Sequence, residues 1–223
     1  MTLTSPTPGV IAQLVDGASW KTIITLVNTD STSGTYTIYF YDDKGAPVTL
    51  ETTAGITSQV NGQLAPYGSR VIETLGQKTA LTQGWALVDT SSKIAGNAIF
   101  RQSVPGRAQY EASLPIMSVL EGNHYLLPFD NISASTGIAL VNPAMSEITV
   151  SISFRTEAGV QTDLTSFSVP SKAHMAFVLA DKFPASANTR GVVELSTSAI
   201  AVSVLGLRFG AESFTSILPI YKE

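Results

Sequence analysis

The sequence predicts an all-β protein of two tandem antiparallel β-sandwich domains, Ig-like or jelly-roll-like in topology and related by internal duplication. Three observations predict this class. One phrase occurs twice, about half the chain apart, and apolar and polar residues alternate within it. Turn-forming residues also recur about every 8–12 residues, as in sandwiches and barrels. Alternation with a period of two is typical of half-buried strands.

The duplicated phrase reads ITLVNTDSTSGTYTIYFYDDKGAPV at 24–48 and IALVNPAMSEITVSISFRTEAGVQT at 138–162. The spacing between the copies changes mainly at 52–63, a stretch rich in Gly, Thr, Asn and Gln. Loops tolerate insertions at little cost in free energy, so this stretch is predicted to be a loop insertion in the first copy. The alignment pairs six polar residues between the copies: Asp16 with Asp130, Asn28 with Asn142, and Arg101 with Arg208.

The repeat sets the domain boundaries. A Ser/Thr/Pro-rich linker is predicted at 1–9, a first β-sandwich at 10–117 and a second at 118–223. Each copy is long enough to bury a core of its own. A period this long indicates tandem domains, because repeats that stack into solenoids are much shorter.

Strands are predicted where the alternation is clearest, at 35–40 and 149–154. A Gly follows both strands at the same place, Gly45 and Gly159, and is expected to supply the positive φ of a hairpin turn. One helical turn is predicted within 179–184, before Pro184. Further strands of the first copy are predicted at 20–28, 69–75, 84–89, 94–102 and 110–116, with counterparts in the second copy.

Core and edge residues follow from the same pattern. Two terminal strands, 10–15 and 214–220, lack Lys and are candidate open sheet edges. The chain is expected either to bury them at the interface between its two copies or to associate edge to edge with another molecule. Six apolar residues are predicted to be buried on one sheet face in their copies: Leu26, Ile38, Phe40, Leu140, Ile152 and Phe154.

Composition excludes several classes of protein. The chain has 223 residues, a net charge of −4 and no Cys, so disulfides and thiolate metal sites are excluded. Charged residues make up 13% of the chain, against about 25% in an average protein. The lack of a basic run argues against nucleic acid as a partner. No apolar stretch is long enough for a membrane-spanning helix, so no membrane insertion is expected.

Several phrases together resemble a known module. AQLVDGASWKTIITLVN, ALTQGWALVDTSS, AIFRQSVPGR, LLPFDN, IALVNP and LGLRF are similar to a tandem β-sandwich module. That module lies at the C-terminal ends of large secreted proteins of soil bacteria. The resemblance spans nearly the whole chain and implies an extracellular or cell-surface location and a modular role. It implies no catalytic residues, because the family has no assigned activity.

The polar residues shared by the copies are interpreted as structural. An Asp or Asn at the end of a strand caps local backbone, and an Arg there can brace the next strand. The histidines, His124 and His174, lie in different elements, so no metal site and no cofactor are expected. The residues interpreted in this way are Asp16, Asp130, Asn28, Asn142, Arg101 and Arg208.

Aromatic residues suggest one candidate ligand-binding face, in the first copy. Tyr39 and Tyr41 alternate with Phe40 and should face solvent, and Trp20 and Trp85 lie in the same copy. Exposed aromatic rings can stack on sugars. The same residues could instead form cross-strand pairs that stabilise the sheet.

The sequence therefore predicts a non-catalytic extracellular module for attachment or assembly, as a fragment of a larger secreted or surface protein. Its expected partners are further copies, neighbouring domains of that protein or a polysaccharide. The first alternative is a carbohydrate-binding module that uses the aromatic face. The second alternative is a hydrolase with a non-standard carboxylate site.

Overall fold

A computed structural model describes residues 8–118, 123–197 and 202–222. The chain divides into two compact units, Met1–Val119 and Leu120–Glu223. Most of the predicted linker at 1–9 lies outside the described residues, and Gly9 already belongs to the first strand. Ser118, which the sequence assigned to the second domain, pairs with Gly9 and so extends the first unit.

The first unit contains a five-stranded and a four-stranded sheet and a separate two-stranded hairpin, all antiparallel. The strand orders are β11-β1-β8-β3-β6, β10-β9-β2-β7 and β4-β5. The strands are β1 (Gly9–Asp16), β2 (Trp20–Asn28), β3 (Gly34–Asp42), β4 (Leu50–Thr52), β5 (Gly55–Thr57), β6 (Gln59–Leu64), β7 (Ser69–Glu73), β8 (Thr82–Thr90), β9 (Ile94–Gln102), β10 (Tyr110–Pro115) and β11 (Met117–Ser118).

The second unit also pairs a five-stranded with a four-stranded sheet. The orders are β15-β14-β17-β12-β20 and β16-β13-β18-β19. The elements are β12 (His124–Asp130), β13 (Ser135–Val141), β14 (Ile148–Thr156), β15 (Gln161–Val169), β16 (His174–Val178), α1 (Leu179–Lys182), a 3₁₀ turn (Pro184–Ser186), β17 (Arg190–Thr197), β18 (Ser203–Phe209), β19 (Phe214–Ile217) and β20 (Ile220–Tyr221).

The two units have the same strand order. When each strand of the first unit is replaced by its sequence counterpart, both sheet orders of the second unit result. The prediction of an all-β fold with antiparallel sandwich-type domains is confirmed. Internal duplication, and the choice between Ig-like and jelly-roll-like topology, stay predictions.

The core follows the predicted alternation. In β3 the residues Ile38 and Phe40 are fully buried, and the corresponding Ile152 and Phe154 of β14 are also buried. The six predicted core residues are all buried, but they do not share one sheet face. Leu26 lies on β2 and its counterpart on β13, and both strands belong to the four-stranded sheets. That part of the prediction is wrong, because the chain changes sheets between consecutive strands.

Three local predictions from the sequence are confirmed, two glycine turns and one helical turn. Gly45 has a φ of 80° and Gly159 a φ of 79°, as predicted for the shared turn. The helical turn predicted within 179–184 is α1 (Leu179–Lys182). No helix in the described part of the chain is long and apolar enough to cross a membrane.

The predicted edge at 10–15 is covered on its second side only at its start. Strand β1 pairs with β8 along most of its length, and among the described residues β11 adds pairs on the other side at Gly9 and Val10 alone. The predicted edge at 214–220 is divided. Strand β19 ends the four-stranded sheet, and β20, which pairs with β12, ends the five-stranded sheet, so both parts of the segment lie at sheet edges.

The insertion predicted as a loop at 52–63 is instead largely strand. It contains β5 and most of β6, and β4 and β5 form a short hairpin. Backbone hydrogen bonds from Thr53 to Glu73 and from Leu75 to Glu51 fasten this hairpin to the end of β7. Period-two alternation is weak in such short strands, which is why the sequence did not reveal them.

Candidate functional site

The face of each five-stranded sheet opposite the core is called here its outer face. In the first unit it carries Tyr39 and Tyr41 of β3 and Trp85 and Leu87 of β8. In the second unit the corresponding strands, β14 and β17, carry polar and charged residues. These two outer faces contain the side chains that are candidates for function.

The aromatic outer face is tightly packed. Tyr41 lies opposite Trp85 in the strand register, and the two rings stack with centroids 4.6 Å apart and an interplanar angle of 23°. Trp85 is only 1% exposed. Burial raises the pKa of the Tyr41 hydroxyl above its ordinary value, and the neighbouring Tyr39 raises it further. The Tyr41–Trp85 contact is therefore a cross-strand packing pair.

The structure does not bring all four predicted aromatic residues together. Trp20 lies on β2, in the four-stranded sheet, and Trp85 has no exposed ring face to offer a ligand. Of the four predicted aromatic residues, Tyr39 and Tyr41 are the two that are partly exposed on the outer face. The predicted four-residue platform is thus reduced to two neighbouring tyrosines.

The outer face of the second unit carries an ionic cluster around Glu194 of β17. Its carboxylate accepts hydrogen bonds from Nε of Arg155 at 2.8 Å and from Nζ of Lys222 at 3.1 Å. His124 of β12 also contacts the carboxylate, through Nε2. Three different strands or strand ends therefore supply nitrogen groups to one carboxylate. This cluster, Glu194, Arg155, Lys222 and His124, is called here the Glu194 cluster.

Electrostatics keep Glu194 ionised. The hydrogen bond from Arg155 is the main cause that lowers the pKa of Glu194 to about 2. Partial burial opposes this shift, and the contacts from Lys222 and His124 add to it. The carboxylate is 11% exposed, whereas the Arg155 side chain is 35% exposed and Lys222 is 47% exposed. A nearly buried anion thus holds two solvent-accessible cations.

Two open depressions flank the cluster. One, of about 470 Å³, is lined by Arg155, Lys222 and Glu157 among others. The other, of about 190 Å³, is lined by His124 together with the serines of β14 and β17. The outward-facing serines are Ser151, Ser153 and Ser196.

The asparagines shared by the two copies serve the same structural role. Asn28, at the end of β2, is fully buried. Its Nδ2 donates to the carbonyls of Thr32 at 2.7 Å, Ala65 at 3.1 Å and Leu64 at 3.5 Å. Its Oδ1 accepts from the backbone N–H of Asp30 at 3.0 Å. The side chain thereby joins its own turn to the end of β6.

Asn142 repeats this arrangement at the end of β13. Its Nδ2 donates to the carbonyls of Ser146 at 2.8 Å, Val169 at 3.1 Å and Pro170 at 2.9 Å. Its Oδ1 accepts from the N–H of Ala144 at 3.0 Å. An amide has both donors and an acceptor, which is why Asn suits this junction better than Asp.

The paired aspartates differ. Asp130 closes its own turn, and hydrogen bonds from the Ser133 hydroxyl and from the N–H groups of Ser133 and Ile132 hold its pKa well below the usual range. Asp16 is fully buried, and its Oδ1 accepts from the N–H of Gly76 at 2.9 Å, far along the chain. Its Oδ2 has no hydrogen-bond partner among the described residues.

The paired arginines both stabilise strand junctions through carboxylates. Arg101 of β9 forms an ion pair with Glu111, its cross-strand neighbour on β10. Arg208 of β18 lies 3.6 Å from Asp130 and 3.3 Å from the Ser133 hydroxyl. The second pair links the two sheets of its unit at the end of β12.

The expectation that the chain has no metal site and no catalytic site stays a prediction. In the described ranges no three His, Cys, Asp or Glu residues lie close enough together to hold a metal ion. His174 is buried opposite Val141, away from the Glu194 cluster. Asp16 lies in the first unit and Asp130 in the second, and the hydrolase alternative stays a prediction.

The sequence interpretation missed the Glu194 cluster. Its members lie far apart in the chain, and their meeting depends on the register of β12, β14 and β17. The sequence contains one signal of this cluster. Glu194 interrupts the apolar run VVEL at a position where the alternation turns the side chain to the outer face, and Arg155 of β14 occupies such a position too.

Comparison with known proteins gives little. No protein-family model matches the chain, and no curated protein matches it. Among solved structures, it is similar to a glycosyl hydrolase family 2 member from Bacteroides cellulosilyticus, with 7% identity and a TM-score of 0.20. The alignment covers 94% of this chain but 27% of that protein, so the chain spans about a quarter of its length. At this TM-score the similarity supports no inference about fold or activity.

Proposed function

We propose that the chain is a non-catalytic extracellular module that assembles by pairing the open edge of β15 with β15 of a second copy. The observation that carries this proposal is the edge itself. Strand β15 has nine residues and ends the five-stranded sheet of the second unit. A long sheet edge is a template for pairing with another strand. Along this edge the N–H of Leu164 donates to the Asp163 carboxylate at 2.8 Å, an exposed hydrogen bond that pairing would have to replace.

The edge lacks most features that prevent such pairing. Between Gln161 and Val169 there is no Pro, Lys or Arg, and the only charged residue is Asp163. Most of the strand is exposed, and Leu164 is 62% exposed. The corresponding edge in the first unit, β6, has only six residues. The second unit therefore offers the longer site for strand addition.

A second copy is the occupant that fits this edge. Antiparallel pairing about a twofold axis at Thr165 would place Asp163 opposite Phe167 and Leu164 opposite Ser166. No like charges would face each other in that register, and backbone hydrogen bonds would continue the sheet across both molecules. A symmetric interface of this kind forms a closed dimer.

An extracellular location is supported by composition and by the resemblance noted above. Only 13% of residues are charged and Cys is absent, so the chain needs no reducing compartment. The resemblance to a module of secreted bacterial proteins points the same way.

The test is the mass of the whole chain over a concentration series, measured by light scattering after gel filtration. The unsubstituted chain should shift from monomer to dimer as concentration rises. Leu164→Lys should abolish the shift, because a charge in an edge strand opposes pairing. Gln63→Lys adds the same charge to the edge strand β6 and should leave dimerisation unchanged. A chain that stays monomeric at every concentration would contradict the proposal, as would equal effects of the two substitutions.

Carbohydrate binding through the aromatic outer face is the second candidate, favoured by the partial exposure of Tyr39 and Tyr41. Neutral polysaccharides in a native gel should then retard the chain, and Tyr39→Ala should remove most of the retardation. Tyr39 is the better choice for substitution because it lacks the ring stack of Tyr41 on Trp85. Hydrolase activity stays a prediction that a screen of glycoside and ester substrates can test.

A further inference from the structure

The Glu194 cluster carries more positive than negative charge. At neutral pH, Arg155 and Lys222 supply two cations and Glu194 supplies one anion. The carboxylate is the most buried of the three groups, whereas both cations reach the surface. Glu194 thus positions the two cations. Glu157 also lines the larger depression, but Arg190 pairs with it at 3.2 Å, so one positive charge there is left without compensation.

Several donors in the cluster are unused. Arg155 donates a hydrogen bond from Nε to Glu194, and its Nη1 lies 3.5 Å from the carbonyl oxygen of Gly159. Its Nη2 has no partner among the described residues. Lys222 donates one of its three N–H groups to Glu194. Both side chains line the depression of about 470 Å³, so these donors are accessible to a ligand there.

Hydroxyl groups lie beside the charged donors. Ser151 and Ser196 line the adjacent depression of about 190 Å³ with half-buried side chains, together with Arg155 and Glu194, whereas Ser153 beside them is buried. Arg155 and Glu194 line both depressions and connect them. An elongated ligand could therefore place an acidic group against the cations and neutral hydroxyls against the serines.

We infer that the outer face of the second unit binds an anionic polysaccharide, with Arg155 and Lys222 on its acidic group and the serines on sugar hydroxyls. A guanidinium matches a carboxylate or a sulfate with two parallel hydrogen bonds, and an ammonium adds a point charge. An open groove on a sheet suits a polymer chain, because the rest of the chain can pass along the surface. The inference does not depend on pairing of β15.

Long-range electrostatics oppose this binding. The whole chain has a net charge of −4, so attraction must come from the local cluster at short distance. Screening by salt weakens interactions between exposed charges. Binding should therefore be strongest at low ionic strength and should decline as sodium chloride is added.

The experiment is affinity gel electrophoresis of the whole chain in gels containing polygalacturonate, dextran sulfate or neutral dextran. At least one acidic polymer should retard the chain, and dextran should not. Stronger retardation by polygalacturonate would identify a carboxylate as the bound group, and stronger retardation by dextran sulfate a sulfate. Each of these outcomes supports the inference.

Substitutions locate the site. Arg155→Gln and Lys222→Gln should each weaken retardation about tenfold, equivalent to one charge-assisted hydrogen bond. Arg155→Lys should recover part of it. Arg101→Gln is the matched control, because it removes one positive charge and one ion pair from the first unit. Circular dichroism and calorimetry should show that every variant is folded.

Two results would overturn the inference. The first is no retardation by either acidic polymer at low salt. The second is equal weakening by Arg155→Gln and Arg101→Gln, since that would show a general effect of net charge and no site at the Glu194 cluster.

Discussion

The outer faces of the two five-stranded sheets have the same strand order but carry side chains of different chemistry. In the first unit Tyr41 of β3 lies opposite Trp85 of β8. In the second unit Arg155 occupies the corresponding place in β14, and Glu194 lies in β17 where the first unit has Leu87. One face is packed with aromatic rings and the other with ion pairs. Because the opposite face of each strand holds the core, the outer face can change without loss of the fold.

The junctions at Asn28 and Asn142 show the reverse case. Both amides satisfy the same set of carbonyls and the same turn N–H, so almost nothing differs between the units. A buried polar group with four partners leaves little freedom for another residue. Shared buried networks therefore define the fold, and the differing outer faces and edges are where separate functions can arise.

The largest expected effect concerns the shared core. Phe40→Ala and Phe154→Ala should each lower the free energy of unfolding by roughly 3–5 kcal/mol, because each removes a fully buried ring. Calorimetry of the whole chain measures both. Tyr39→Ala, on the outer face, is the control and should cost clearly less. An unchanged melting midpoint in either Phe variant would show that the assignment of inner and outer faces is wrong.

The next effect concerns the shared junctions. Asn28→Ala and Asn142→Ala should each cost about 2–3 kcal/mol, because buried carbonyls lose their donor. The two losses should be similar, since the networks match. Asn97→Ala removes an exposed amide bonded to Ser113 and serves as the control, with a loss of about 0.5 kcal/mol or less. Losses in the two Asn variants that differ several-fold would contradict the equivalence of the junctions.

The smallest of the three expected effects concerns the outer faces, whose side chains differ between the two units. Glu194 has a pKa lowered from 4.5 to about 2 in the folded chain. Its ionised form therefore stabilises the fold above about pH 4.5, and this contribution is lost as pH falls towards about 2. Glu194→Gln should remove a stabilisation on the order of 1–2 kcal/mol at neutral pH and flatten the acid limb of the stability curve.

Chemical unfolding of the chain and of Glu194→Gln between neutral pH and the acid limb measures this difference. The shift at Asp130 is common to both proteins and cancels in the comparison. Both tryptophans lie in the first unit, which has no carboxylate at the position of Glu194. Their fluorescence therefore reports the unfolding of the unit that the substitution does not change. Parallel acid limbs for the two proteins would show that the Glu194 contacts contribute nothing to stability.

Much of the fold was readable from the sequence because its signals are local. The strands at 20–28 and 94–102 coincide with β2 and β9, and the Gly45 and Gly159 turns have the predicted φ. Sheet order is not a local property. The terminal segment 10–15 was predicted to be an edge, and the two-residue strand β11 covers its start, at Val10, on the side opposite β8.

The candidate sites were harder to predict for the same reason. Parity placed Tyr39 and Tyr41 on an outer face, but it could not show that Trp85 is buried beside Tyr41. The Glu194 cluster requires the register of three strands and the residue after β20. None of these distances is encoded in a short motif, so only the assembled sheet reveals which charges meet.

Hydrogen–deuterium exchange at low and high protein concentration tests the central claim, assembly through the edge of β15, most directly. Peptides covering 161–169 should gain protection as concentration rises, because their outward backbone N–H groups become hydrogen-bonded to a second copy. Peptides covering 59–64, from the shorter edge β6, should exchange at the same rate at both concentrations. Unchanged exchange in 161–169, or an equal gain in both segments, would contradict the account.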